Sequence, residues 1–236
     1  MPENVPLGLG RSGLVKICGL TDEAAMRAAT LAGADLVGLV FVPGSPRAVT
    51  AEAARGLAET AHGKAAVVGL FQNPALSEIE EVLEQVPLDM IQLHGSEDAE
   101  DVARIGAGFG LPVIKAVSVR ERGDLFASNG MPADLMLYDA KPPEGARAAG
   151  GHGATFDWRV LQGHGHRTPW LLAGGLTPDN AAEAVLACAG ITGFRGLDVS
   201  SGVEAAKGVK DPALITRFVA AARAAMGVLE RTDPDV

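Results

Sequence analysis

Apolar and polar positions alternate along the chain in two kinds of segment that follow one another throughout. Short apolar runs, mostly β-branched or leucine-rich and bounded by Gly, Pro or Asn, predict strands. Amphipathic segments with Ala, Leu, Glu and Arg at helical spacing lie between them and predict helices. The predicted strands are Leu14–Cys18, Leu36–Phe41, Ala66–Phe71, Met90–Leu93, Val113–Val117, Leu135–Asp139, Trp170–Ala173 and Gly196–Val199. The predicted helices are Asp22–Ala32, Ala51–His62, Ala75–Gln85, Glu97–Ile105, Arg120–Ser128, Trp158–Leu161, Pro178–Ala189 and Pro212–Met226.

Eight regular strand–helix alternations predict an α/β fold of one kind, a single (β/α)8 barrel of the triosephosphate isomerase type. A doubly wound open sheet is the structural alternative, but the first strand lacks the G-x-G-x-x-G fingerprint of that fold. No linker or break in composition divides the chain. We therefore expect residues 1–236 to form one domain, with a core of about residues 14–228 and flexible ends.

Several predicted helices begin at recognisable residues. Thr50 is the predicted N-cap of the second helix, and Thr177 is that of the seventh, with Pro178 in its first helical position. Glu97 and Asp98 place acidic residues in the first turn of the fourth helix, where they suit the helix dipole.

Composition and charge narrow the class of protein. The formal net charge is −9, which disfavours nucleic acids and anionic membranes as partners but permits an anionic small substrate in a locally positive pocket. No apolar stretch approaches the roughly 20 residues of a membrane span. Residues 1–13 lack the basic and apolar regions of a secretory signal, so we expect a cytoplasmic protein.

Cys18 is the most informative residue, because it ends the first predicted strand just before a glycine. In parallel α/β barrels, ligands bind at the carboxyl ends of the strands. Lys16 lies two residues away on the same strand face, where its positive charge is expected to lower the pKa of the thiol. The alternative is a buried small apolar residue, which is the reading that we favour for Cys188 in its alanine-rich helix.

Other strand ends supply further candidates. Asp139 ends the sixth strand after four apolar residues, so a thiol base and a carboxylic acid are predicted to face one substrate. Gln92 and His94 end the fourth strand and Asp198 lies in the eighth. With Lys16, these three are candidate substrate-binding residues, and His94 is expected to form hydrogen bonds and not to bind metal.

The last two strands predict a phosphate site. Gly174 and Gly175 close the seventh strand, and Ser200, Ser201 and Gly202 close the eighth. Backbone amides in glycine turns, with hydroxyl groups beside them, form a cradle for anions, and barrels often bind phosphate at these two loops. The alternative is that the glycines serve only to make tight turns.

Three further segments contain residues that could contribute to a site. Arg47 follows a proline after the second strand, and its guanidinium either grips a substrate carboxylate or lies solvated on the surface. Residues 141–155 are too long for an ordinary strand–helix loop and form either a lid or a segment without function. His164 and His166 lack a third ligand, so no metal site is expected.

With these residues identified, the chain closely resembles the phosphoribosylanthranilate isomerases, barrel enzymes of tryptophan biosynthesis. The resemblance covers about residues 14–226 and rests on seven short motifs in order. They are Lys16-Ile17-Cys18-Gly19, Ser45-Pro46-Arg47, Gln92-Leu93-His94-Gly95, Gly150-Gly151-His152-Gly153 with Phe156-Asp157-Trp158, Gly174-Gly175-Leu176, Asp198-Val199-Ser200-Ser201-Gly202-Val203-Glu204, and Gly208-Val209-Lys210-Asp211.

The resemblance implies an Amadori rearrangement of N-(5-phosphoribosyl)anthranilate, without cofactor or metal. It makes Cys18 the general base, Asp139 the general acid and Arg47 the ligand of the anthranilate carboxylate, with the phosphate held after strands seven and eight. It is consistent with a monomer or a homodimer. Two other classes stay open: a sister phosphosugar barrel, such as the histidine-pathway aminoaldose isomerase or indoleglycerol-phosphate synthase, and a barrel that binds a phosphosugar without catalysis.

Overall fold

Eight parallel strands close into a barrel in the computed structural model, which describes residues 12–140, 157–163, 165 and 168–232. Each strand pairs with the next along the chain, and the eighth pairs with the first. This closure confirms the predicted (β/α)8 barrel over an open sheet. The strands are β1 (Leu14–Cys18), β2 (Leu36–Val40), β3 (Ala66–Phe71), β4 (Met90–Leu93), β5 (Val113–Val119), β6 (Leu135–Ala140), β7 (Trp170–Leu172) and β8 (Phe194–Val199).

Helices follow most of the strands, as predicted. They are α1 (Glu23–Ala32), α2 (Ala51–Ala61), α3 (Leu76–Leu83), α4 (Ala99–Phe109), α5 (Ala181–Cys188) and α6 (Pro212–Thr232). The fifth and sixth predicted helices are instead 3₁₀ segments, Arg122–Ser128 and Trp158–Leu161. In the first of these, Gly123 disfavours an α-helix, and the Asp124 carboxylate accepts hydrogen bonds from the preceding backbone amides in a tight turn.

Helix starts are only partly as predicted. Thr50 caps α2 by accepting a hydrogen bond from the Ala53 amide. The Thr177 prediction is wrong, because the Asn180 side chain binds the Thr177 amide and the Gly175 carbonyl, which forms a separate turn before α5. A short hairpin, β9 (Glu204–Ala206) with β10 (Val209–Lys210), was not predicted.

Side chains alternate between the two faces of the barrel wall. Along β1, Leu14 packs in the cluster inside the barrel, whereas Val15 and Ile17 pack outward against the helices. Lys16 and Cys18 share the inward face with Leu14, because successive side chains of a strand point to opposite sides. The inward cluster consists of Leu14, Leu36, Ala66, Val68, Met90, Ile114, Ala116, Leu135, Leu137, Leu171 and Ala173.

Three aspartates fasten the amino-terminal ends of the strands. Each directly precedes an even-numbered strand, and its carboxylate accepts a hydrogen bond of 2.7 Å from a backbone amide of the preceding strand. The backbone amide of each aspartate donates in turn to the carbonyl of that residue in the preceding strand, so two hydrogen bonds link each pair. The pairs are Asp35 with Val15, Asp89 with Val67 and Asp134 with Val113.

Some predictions concern parts of the chain that the structure does not describe. The predicted lid, residues 141–155, lies outside the described residues, as do residues 1–11 and 233–236 at the predicted flexible ends. Helix α6 continues to Thr232, beyond the predicted core boundary at residue 228. Among the described residues, none of the helices has the length and hydropathy required to cross a bilayer.

The aspartate pairs yield a test of barrel stability. We expect Asp89→Asn to lower the free energy of unfolding by about 1 to 2 kcal/mol, because the Val67 amide loses a charged acceptor. Urea denaturation measures this, with the exposed Glu81→Gln as a control that leaves the urea midpoint unchanged. An unchanged midpoint in Asp89→Asn would contradict the assignment.

Candidate active site

A cavity of about 450 Å³ opens at the carboxyl ends of the strands. Most of the residues predicted for the site line it, although they come from six different strands and their loops. Lys16 and Gln92 do not line it; they are fully buried beside its base. The predicted residues that line the cavity are Cys18, Arg47, His94, Asp139, Gly174, Gly175, Asp198, Ser200, Ser201 and Gly202.

A buried ion pair lies beside the thiol of Cys18. Lys16 Nζ donates to Asp198 Oδ1 at 2.7 Å, and the two residues face each other across the seam between β1 and β8. Burial acts to lower the pKa of Lys16, but the negative charge of Asp198 and its hydrogen bond to the amine act to raise the pKa, and the net direction is upward. Lys16 therefore carries its charge within the barrel.

The net shift of the Cys18 thiol pKa is opposite to the effect expected from Lys16 alone. Burial raises the pKa of Cys18; Lys16 and Lys210 act to lower it, but the negative charge of Asp198 acts with burial, and the net direction is upward. Lys16 does act to lower this pKa, as predicted, but burial of the thiol, together with the negative charge of Asp198, outweighs its effect. The resting residue is a neutral thiol at neutral pH.

Gly38 makes room for this group, and sequence reasoning missed it. It pairs with Cys18 in the sheet, and a Cβ atom there would lie 2.8 Å from Cys18 Sγ and 3.3 Å from Lys16 Nζ. Any larger residue would displace the thiol. The signal in the sequence was a lone glycine within the apolar run of the second strand, which marks a close approach.

Asp139, His94 and Gln92 form a second group. Asp139 Oδ2 lies 3.2 Å from His94 Nε2, and His94 Nδ1 lies 3.0 Å from Gln92 Nε2. The direction of the hydrogen bond between Gln92 and Nδ1 depends on the tautomer of the ring. Nε2 has no hydrogen bond of good geometry within the described part of the chain. Nε2 of the imidazole thus faces the Asp139 carboxyl.

A network of three charged side chains joins the loops after β2 and β8. Arg47 donates to both Glu204 oxygens, at 2.6 and 3.0 Å, and Lys210 donates to Glu204 at 2.8 Å and to the Ser200 carbonyl at 2.9 Å. Arg47 is 9% exposed, which excludes the solvated alternative. Burial acts to raise the pKa of Glu204, but hydrogen bonds from Arg47, Lys210 and the Gly208 amide lower it to about 2.

Glu204 and Lys210 were not identified as site residues from the sequence. Both appear in motifs of the chain, but their partner Arg47 is 157 positions away from Glu204. A hairpin of five to seven residues after the last strand gave no periodic signal, so its packing against the second loop was not predictable.

The two predicted phosphate loops lie side by side at the cavity. Gly174 and Gly175 have φ angles of +84° and +63°, which favour glycine, and neither amide donates to another described residue. Asn180 braces this turn through the Gly175 carbonyl at 3.0 Å. The amides are therefore free to bind an anion.

No set of three His, Cys, Asp or Glu side chains is arranged to hold a metal ion among the residues that the structure covers. His164 and His166 lie outside that part of the chain. The described site has a thiol and a carboxyl group that face one cavity, which suits proton transfer to and from a bound molecule.

The raised pKa of Cys18 is testable by alkylation. In a Cys188→Ala background, we expect the rate of reaction with iodoacetamide to keep rising above about pH 8.5, because only the thiolate reacts. Burial slows the reaction by a constant factor and does not change the shape of this profile. A plateau reached near about pH 7 would show an activated thiolate instead.

The low pKa of Glu204 links stability to pH. We expect Glu204→Gln to lower the free energy of unfolding by about 3 kcal/mol at neutral pH, because two buried cations lose their shared counter-charge. A depressed carboxyl pKa stabilises above its unfolded value, about 4.3, and this stabilisation disappears as pH falls toward about 2. In urea denaturation, the difference between the two proteins should therefore narrow in that range; a difference independent of pH would contradict the assignment.

The sequence of this chain is similar to that of known proteins over most of its length. The family model for N-(5'phosphoribosyl)anthranilate (PRA) isomerase matches residues 15–221. The N-(5'-phosphoribosyl)anthranilate isomerase of Paracoccus denitrificans is 52% identical over 89% of this chain and 97% of its own.

Solved structures agree with the family model. The phosphoribosyl anthranilate isomerase of Thermotoga maritima superposes with a TM-score of 0.79 and 36% identity, covering 89% of this chain and 98% of its own. Another, in complex with reduced 1-(o-carboxyphenylamino)-1-deoxyribulose 5-phosphate, gives a TM-score of 0.77 and 32% identity over 89% and 98%. This chain therefore belongs to the N-(5'-phosphoribosyl)anthranilate isomerase family of enzymes.

Proposed function

We propose that this protein converts N-(5-phosphoribosyl)anthranilate to 1-(2-carboxyphenylamino)-1-deoxyribulose 5-phosphate in tryptophan biosynthesis, with Asp139 as general acid and Cys18 as general base. The observation that carries the proposal is that these two side chains, from β6 and β1, line the same cavity. The strands are not adjacent in the barrel, so their side chains approach a bound substrate from different sides. Binding alone requires neither group.

The first step is opening of the ribose ring. Asp139 gives its proton to the ring oxygen while the nitrogen lone pair forms a double bond to C1, which breaks the C1–O bond and leaves a positively charged iminium group. His94, with its Nε2 at 3.2 Å from the Asp139 carboxyl, is placed to offer a hydrogen bond once the carboxylate forms.

The second step is removal of the C2 proton by Cys18. The electrons of the C–H bond neutralise the iminium and give an enolamine, which becomes the ketone when C1 gains a proton and the C2 hydroxyl loses one. The base must be a thiolate, so the neutral resting thiol first releases its proton to solvent in the cavity and then takes the C2 proton. The nearby cations Lys16 and Lys210, joined by the positive iminium, favour the thiolate in this step.

The remaining residues hold the two ends of the substrate. Arg47 binds Glu204 through Nε and Nη2 and lines the cavity, where the rest of its guanidinium is proposed to bind the anthranilate carboxylate. The turns Gly174–Gly175 and Ser200–Gly202 provide amides and hydroxyls for the phosphate. Asp198 keeps Lys16 beside Cys18 and has a second carboxylate oxygen for a sugar hydroxyl. Gln92 orients His94. The cytoplasmic location and the choice between monomer and homodimer remain predictions.

The test is turnover of phosphoribosylanthranilate, followed by loss of its fluorescence. We expect rapid turnover by the unmodified protein, with losses of about 10²- to 10⁴-fold in Cys18→Ala and in Asp139→Asn, because each removes one proton-transfer group. Cys188→Ala, which changes the other buried cysteine, should retain full activity.

Other outcomes separate the alternatives. Full activity in both site variants would refute the proposed roles. Turnover of the histidine-pathway aminoaldose in place of this substrate would indicate a sister barrel, and tight binding without turnover would indicate a binding protein.

A further inference from the structure

A second buried ion pair lies beneath the turn that follows β4, outside the lining of the cavity. Lys115, on β5, donates from Nζ to Glu97 Oε2 at 2.6 Å, and the two side chains are 4% and 3% exposed. The sequence suggested that Glu97 served the dipole of the fourth helix. That interpretation is wrong, because α4 begins after Asp98 and Glu97 points inward.

The pair holds the turn from both sides. Lys115 Nζ donates to the Gly95 carbonyl at 2.8 Å, and the Glu97 carboxylate accepts from the Gly95 amide at 2.9 Å. Glu97 also accepts from the Asn73 amide at 2.7 Å, and the Asn73 side chain accepts from the Ser96 amide at 2.7 Å. The turn is thus tied to β5 and to the loop after β3.

Stability is a poor explanation for this arrangement. Removing two charges from water carries a penalty that their attraction commonly does no more than balance. Asn73 adds strain, since it has a φ of +48°, in the left-handed region that residues other than glycine seldom adopt. Fixed geometry is the gain that remains, because the Gly95 amide and carbonyl and the Asn73 and Ser96 amides each have a defined partner.

The turn carries His94. Its amide donates to the Phe71 carbonyl at 2.9 Å, and its ring lies 3.2 Å from the carboxyl of Asp139. We infer that Lys115 and Glu97 are positioning residues, which hold the His94 imidazole against the general acid. The inference rests on the proposed function for its effect on turnover, but not for its effect on the imidazole.

The experiment compares three variants of the full chain: Lys115→Met, Glu97→Gln and the double variant. Each single variant leaves one buried charge, that of Glu97 or of Lys115, without its counter-charge, and is expected to lower the urea midpoint. The double variant should recover much of that midpoint, because no unpaired buried charge remains. It should not recover kcat, because the Gly95 carbonyl has still lost its donor.

We expect kcat for phosphoribosylanthranilate to fall about 10- to 100-fold in the double variant, as for a small misplacement of a catalytic group. KM should change less than about threefold, because the groups proposed to bind the carboxylate and phosphate are untouched. Asp89→Asn is the matched control: it loses a half-buried carboxylate at the other end of the barrel and should lower the urea midpoint with kcat unchanged.

A second measurement does not depend on activity. The imidazole NMR signals of His94, assigned with His94→Asn, should move in the double variant and stay in place in Asp89→Asn. Wild-type kcat in the double variant, or unmoved His94 signals, would overturn the inference. Absence of turnover by the unmodified protein would refute the proposed function, while the His94 signals would still decide the positioning role.

Discussion

The ion pair between Lys16 and Asp198 is the interaction on which the site depends. It lies at the seam where β8 meets β1, so the strand pairing that closes the barrel also brings together the two charges beneath Cys18. Without Asp198, a buried lysine beside the thiol would either lose its proton or create a thiolate. With it, the lysine stays charged, the thiol stays neutral, and the inward face of β1 tolerates a cation in an otherwise apolar barrel.

Charged side chains serve different purposes at the two ends of the barrel. At the amino ends of the strands, the three aspartates bind backbone amides and join neighbouring strands without facing a cavity. At the carboxyl ends, the buried pairs join different loops: Arg47 with Glu204 across β2 and β8, and Lys115 with Glu97 across β5 and β4. The first kind joins strands of the barrel wall, whereas the second joins elements at the end of the barrel where ligands bind.

Sequence patterns predicted local order well and long-range pairing poorly. Apolar runs located all eight strands, because strand burial depends on residues adjacent in sequence, and the residue types at their ends identified Cys18 and Asp139. The direction of the Cys18 pKa shift was missed, since it comes first from burial of the thiol in the folded barrel and then from Asp198, which is 182 positions from Lys16. Glu97 was misread for the same reason: a carboxylate before a helix suits the dipole, and only the fold shows Lys115 behind it.

Under the proposed mechanism, the neutral resting thiol determines the order of the two proton transfers. A permanent thiolate would be exposed to oxidation and to any electrophile that entered the cavity. Here burial and Asp198 keep the proton on Cys18, and a positive charge must arrive before the thiol becomes an effective base. Under the proposed mechanism that charge is the iminium, which exists only after Asp139 has opened the ring. Under that mechanism the acid acts before the base, and the lack of a side chain at Gly38 leaves room for the thiol.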